Sequence, residues 1–119
     1  MRIENVYGEE ENYSYFLIKD NIGIRAKVLI DKEDVEKCKR YKWKLSYYGY
    51  VINSFHKLRI HRYIMGLGSY EIDKRVVDHI FHNKHDNRKS QLKICTLSEN
   101  SNNKLKRSDG IYTYKPGYM

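Results

Sequence analysis

The stretch VVDHIFHNKHDNRKSQL, residues 76–92, places three histidines, two aspartates and two asparagines beside three basic residues. Two chemistries could use such a cluster. His79, His82 and His85 supply three imidazoles, which is a zinc reading. Asp78 and His79 supply a hard oxygen ligand next to a base that titrates near neutral pH, which is a hydrolytic reading. The three histidines recur at i, i+3 and i+6, a spacing that suits a helix better than the hairpin the stretch predicts. No cysteine stands near them at a familiar zinc-ligand distance, so zinc is disfavoured.

The elements that must position these residues can be read from the chain. "YSYFLI" (13–18) and "IGIRAKVLI" (22–30) are rich in β-branched and aromatic residues and flank a turn at Asp20-Asn21, which predicts a hairpin. "DKEDVEKCKRYKW" follows. Asp31 is a candidate N-cap, and acidic residues precede basic ones in the order that suits a helix dipole, so a short helix is expected over about 32–40. "WKLSYYGYVINS" predicts a second hairpin around Tyr48-Gly49. Leu58–Ile60 is read as strand and His61–Met65 as a short helix ended by Gly66. "RVVDHI" is a strand, "HNKHDNRKS" a long hairpin loop, and "QLKIC" a returning strand with Leu92 and Ile94 on one face. Thr96-x-x-Glu99 is a capping box, so a helix should start near Leu97. The tail, "SDGIYTYKPGYM", has no clear core pattern.

Composition bounds the classes. A chain of 119 residues fits one domain. The 23 Lys+Arg against 15 Asp+Glu leave a net charge of +8, which favours an anionic partner such as a phosphate backbone. No apolar run nears the roughly 20 residues that span a bilayer. The N-terminus is acidic and polar without an apolar h-region, so no signal peptide is expected. Cys38 and Cys95 form no C-x-x-C, so both are expected as buried thiols of an intracellular protein.

Strand, loop, strand, helix with Asp-His on the first strand is a recognisable arrangement. "VVDHIFHNKHDNRKSQLKICTLSENSNNK" resembles the HNH nuclease family, in its phage and homing-endonuclease branch, where D-H-I, D/N-N-R, N-L-R and a final S-x-N recur at fixed offsets. "VLIDKEDVEKCKRYKWKLSYYGYV" and "LRIHRYIMG" resemble segments that precede the site in that branch, so the likeness spans about residues 28–104. It implies an α+β fold with a ββα-metal unit over 74–107, preceded by a β-rich part over 1–66 with hairpins and a short helix, and followed by a tail over 108–119. It further implies a divalent-metal-dependent DNA endonuclease of phage or mobile-element type, acting in the cytoplasm of a bacterial host, as a monomer or weak homodimer, with no membrane partner.

Phosphodiester hydrolysis needs a base for water and a Lewis acid for the developing charge. His79, with an ordinary pKa of about 6.5, can be the base. The resemblance implies Asp78 and Asn100 as ligands of one Mg²⁺ or Mn²⁺, and oxygen donors suit these ions. Adjacent strand residues point to opposite faces, so Asp78 and His79 can share a site only where the strand twists or ends. Taken singly, each of these residues also fits an ordinary structural role; together, at family offsets, they favour the enzyme. One departure stands out. Gln91 occupies the place of the family's middle Asn, which is understood to bond across the hairpin and hold the base. Its extra methylene leaves a non-cleaving DNA-binding protein with a degenerate site as the rival reading. Candidate phosphate contacts are Arg62, Lys84, Arg88, Lys89, Lys93, Lys104, Lys106 and Arg107. Arg88 could instead brace Asp86.

Overall fold

The computed structural model describes residues 2–68, 71–96, 104–106 and 112–114, the last two segments by their backbone only. The chain is mixed α/β and mostly strand, with two short α-helices. Strands β1 (Glu4–Glu9), β2 (Ser14–Lys19) and β3 (Ile24–Ile30) form an antiparallel sheet in chain order. In β2 buried and half-buried residues alternate, so Phe16 and Ile18 enter the core together with Ala26, Val28 and Ile30 of β3. This is the period-two pattern of a sheet covered on one face.

β1 is absent from the sequence reading, because "ENVYGE" carries little apolar signal. Its partners make it a strand. Each residue from Glu4 to Glu9 pairs with β2. Asn5 bonds the backbone of Trp43 in both directions, accepting from its N–H at 2.7 Å and donating to its carbonyl at 2.9 Å. Gly8 lets the Tyr15 ring lie across β1, where a Cβ would overlap it and force it to shift.

A 3-10 turn over Lys32–Asp34 runs into α1 (Val35–Cys38), close to the expected helix. Asp31 precedes it but makes no side-chain capping bond. Its carboxylate instead accepts from the backbone N–H of Lys89 at 2.9 Å, so the predicted cap is a tertiary tie. The helix end is sealed by Trp43, fully buried, whose indole N–H donates to the Cys38 carbonyl at 2.8 Å.

β4 (Lys44–Leu45), β5 (Val51–Asn53) and β6 (Leu58–Arg59) make a second antiparallel sheet. α2 (Ile60–Ile64) follows directly, and Gly66 adopts a φ of +79° just beyond it, as the sequence leads one to expect of a helix end. β7 (Val76–His79) and β8 (Leu92–Cys95) pair as the expected hairpin, with a 3-10 turn over Lys89–Gln91 before the return. One core joins the three sheets, with Trp43, Val51, Ile60, Ile64, Val77 and Leu92 meeting the residues of the first sheet.

The helix expected from Leu97 begins outside the described residues. Further along, Lys104–Lys106 is strand β9, paired antiparallel with β10 (Tyr112–Tyr114) in the tail where no pattern was read. The described residues thus contain the two strands and the loop of the expected ββα unit, and its helix is not among them. No helix among them is long and apolar enough to cross a membrane.

Arg62 was expected at phosphate, and the structure corrects this. It is 7% exposed, and its guanidinium donates to three backbone carbonyls, those of Gly68 at 2.9 Å, Arg75 at 2.5 Å and Asp73 at 2.7 Å. Such a fork gathers the chain between α2 and β7, and buried charge-assisted bonds are costly to break. Arg62→Leu should lower stability by about 3 kcal/mol in urea unfolding, whereas Lys93→Gln on the exposed side of β8 should change it by less than about 0.5 kcal/mol.

Candidate active site

The β7–β8 register decides which side chains share a face. Val77 and His79 lie opposite Ile94 and Leu92, and Val76 and Asp78 lie opposite Cys95 and Lys93. His79 therefore points with Val77 and Leu92 toward the core, and is 1% exposed. Asp78 points the other way and is also buried, with its Oδ2 accepting from the Cys95 thiol at 3.2 Å. His79 is the last residue of β7, which is the strand-to-loop junction that the pair would need to serve one site.

A partner that sequence reasoning missed holds the imidazole. Asn87 is fully buried, and its Oδ1 lies 2.8 Å from His79 Nε2. The other end of the amide, Nδ2, donates to the Lys84 carbonyl at 3.3 Å. That bond turns Oδ1 toward the ring. An amide oxygen can only accept, so Nε2 carries the proton and Nδ1 is the basic nitrogen. Burial pushes the His79 pKa below its ordinary value, against the opposing influence of the Asn87 bond. His61 packs against the ring at 5.0 Å between centroids, and Tyr50 lies beyond His61 at 5.9 Å. Burial, and then the neighbouring His79, Arg59 and Arg62, hold the His61 pKa well below the ordinary histidine value. Both rings are thus neutral at neutral pH.

Gln91 does not reach this imidazole. Its side-chain amide donates to Ser90 Oγ at 3.3 Å, and only its backbone carbonyl crosses the hairpin, to the N–H of Ile80 at 2.9 Å. The signal for Asn87 was present in "HDNRKS", but Asn beside Asp in a loop reads first as turn chemistry. His61 lies in the LRIHRYIMG stretch that resembles a segment preceding the site, and the structure places it against His79.

The loop between the strands is fastened along its length. Leu29 of β3 donates to the His85 carbonyl and accepts from the Asn87 N–H, both at 2.8 Å, so Asp86 forms a parallel bridge to the first sheet. Arg88 grips Asp86 through Nε at 2.8 Å and a terminal nitrogen at 2.6 Å, the bracing contact of the two alternatives. Lys89 extends its ammonium to Glu33 at 2.7 Å and to both oxygens of Asp34 at 2.8 and 2.9 Å, so it too is a tie and not a free cation for phosphate. Lys84 is half-buried; it donates to the Tyr48 carbonyl at 2.9 Å and lies over the Tyr50 ring. Lys93 is exposed on β8. The side chains of Lys104 and Lys106 lie outside the described residues, as do Arg107 and Asn100.

The three histidines do not converge. His79 bonds Asn87, His85 lies 3.2 Å from the Gly49 carbonyl, and His82 is exposed in a left-handed turn with φ of +62°. Among the described residues the one cluster with metal-ligand spacing is Asp31, Glu33 and Asp34. The Lys89 ammonium already bonds two of its carboxylates, and the third, Asp31, accepts from the Lys89 N–H.

The chain is 34% identical over 114 residues to a protein of Acanthamoeba polyphaga mimivirus described as an uncharacterized HNH endonuclease. The match covers 84% of this chain and 59% of the relative, so the chain spans well under two thirds of that protein's length. No protein-family model matches the chain, and no solved structure matches it at a significant level. The likeness supports the HNH nuclease family and leaves the phage and homing branch without support of its own.

Two measurements check this geometry. In a ¹⁵N-edited spectrum of the imidazoles, His79 should be the Nε2–H tautomer, and Asn87→Ala should turn it into a mixture. An unchanged tautomer in that variant would show that the amide does not set it. The second is pH. An unfolded histidine titrates near 6.5 and folded His61 well below, so the unfolded chain binds more protons in the interval between. Stability should be full above about pH 6.5 and fall as the pH drops below it. His61→Phe should flatten the decline in urea midpoint between about pH 7 and 5.

Proposed function

We propose that this chain is a metal-dependent HNH DNA endonuclease that hydrolyses phosphodiester bonds, in a viral or mobile-element setting. The observation that carries the reading is the His79–Asn87 pair. A neutral, buried imidazole at the end of β7, with Nε2–H committed to an amide oxygen, presents Nδ1 as a base of fixed orientation. His79 then takes the proton of the attacking water, and Asn87 keeps the ring from rotating and stabilises the imidazolium that forms.

Asp78 and Asn100 would hold one Mg²⁺ or Mn²⁺. The donor set fits, because both residues offer only oxygen. The Cys95 bond engages Asp78 Oδ2 through one of several lone-pair positions on the carboxylate. When bound, such an ion supplies Lewis acidity to the scissile phosphate and the departing oxygen. The catalytic unit is assigned to 74–107 within a single domain over 1–119. One such site per chain nicks a strand, and a double cut would take a dimer or two encounters. A non-cleaving DNA-binding protein drew its support from Gln91. That support weakens with Asn87 in contact with the base.

Plasmid nicking tests the reading. Excess EDTA should abolish cleavage, and Mg²⁺ or Mn²⁺ should restore it; full activity in the chelator would overturn the mechanism. His79→Ala should slow cleavage by roughly 10²–10⁴-fold while leaving DNA affinity nearly intact. A loss below about tenfold would assign the base elsewhere.

A further inference from the structure

The β4–β5 hairpin ends in Tyr47 and Tyr48, which are 95% and 73% exposed. Their rings meet edge to face, 5.1 Å apart, and touch no part of the core. The turn does not need them. It is closed by Ser46, whose carbonyl accepts from Gly49 N–H at 3.0 Å and whose Oγ accepts from Tyr50 N–H at 3.1 Å, with Gly49 taking the left-handed φ of +86°. Small polar residues would serve the turn at 47 and 48, since the two rings contact each other and not the core.

The tip is held against the candidate active site. Lys84 donates to the Tyr48 carbonyl at 2.9 Å, and His85 lies 3.2 Å from the Gly49 carbonyl. Both residues belong to the loop that carries Asn87 to His79. Beside the tip runs a cleft of about 320 Å³ whose lining includes Tyr48, Tyr50, Lys57 and Arg59. Lys57 and Arg59 are exposed, and the Arg59 and Lys84 cations lie 5.3 and 4.6 Å from the centre of the Tyr50 ring. Rings interleaved with cations suit duplex DNA, whose phosphates need positive charge and whose sugars and groove edges offer apolar contact. The exposed Lys57 beside Arg59 favours a phosphate backbone over a protein partner, since lysine is depleted at protein interfaces.

We infer that the Tyr47-Tyr48 tip and the adjoining cleft of Tyr50, Lys57 and Arg59 form a duplex-DNA contact surface, fixed in position relative to His79 by Lys84 and His85. The inference rests on the nuclease reading and adds to it the surface that places DNA over the base. The tyrosines contact the groove, while Lys57 and Arg59 hold the phosphates on its flank.

The test is anisotropy of a fluorescein-labelled duplex titrated with the 119-residue chain in EDTA, which prevents cleavage. Tyr47→Ala/Tyr48→Ala should raise Kd by about threefold or more, through the loss of ring contacts to the sugars and groove edges of the duplex. Its thermal melt should match that of the natural protein, because neither side chain packs. Lys57→Gln/Arg59→Gln should reduce the log–log salt slope by about 2, at about 0.9 per phosphate contact. If the natural chain binds and both double variants match it within about twofold in Kd and in salt slope, the tip and cleft are not the surface and the nuclease reading stands. If the natural chain binds no duplex at low salt, the surface and the nuclease reading fall together.

Discussion

Leu29 holds the candidate site together. Its N–H and carbonyl are the outward-facing pair on the edge of β3, and both are taken by the loop, one by His85 and one by Asn87. The strand edge is thereby covered at this point, and a loop that would otherwise sample many conformations is held by one parallel bridge. Asn87 lies at the inner end of that bridge. Its side chain can enter the core only because its backbone is already fixed, and there it meets the one imidazole at the end of β7. The bonds on either side, Arg88 to Asp86 and Lys89 to the acidic turn before α1, hold the ends of the same segment. The first sheet acts at a distance: through the Leu29 bonds it sets where Asn87, and so the His79 imidazole, points.

The basic residues divide by this logic. Arg62, Arg88 and Lys89 are counted in the excess of positive charge, but each is engaged with carboxylates or carbonyls of the chain itself. They stiffen the frame. Among the described residues Lys57, Arg59 and Lys93 are exposed, and the first two line the cleft beside the tyrosine tip. Net charge thus points to the sign of a partner while saying little about which residues would meet it.

Legibility followed the range of the interactions. The hairpins, the two helices and the β7–β8 pair were readable because period and turn chemistry are local. β1 was not, because its strand character comes from pairing with β2 and from Asn5 bonding Trp43 far along the chain. Asp31 looked like a cap for the same reason: nothing nearby reveals that Lys89 will claim its carboxylate. At the site, Asp78 and His79 stood out by residue type and by resemblance. Asn87 did not, since in one dimension an Asn in a polar loop is a turn former. Only the bridge to Leu29 turns it inward. Gln91 stood at the familiar offset, and the structure directs its side chain to Ser90 instead. Asn100 lies outside the described residues, so its part rests on the resemblance.

The central claim is that a buried amide at position 87 orients the base. Single-turnover cleavage at saturating DNA, comparing the natural protein with Asn87→Ala and Gln91→Ala, tests it most directly. Misplacing a reacting group by about 1 Å can cost about 100-fold in rate. Asn87→Ala should therefore be slower by tens to about a hundredfold at unchanged DNA affinity, with Gln91→Ala close to the natural rate. An Asn87→Ala variant that folds normally and cleaves at the natural rate would contradict it.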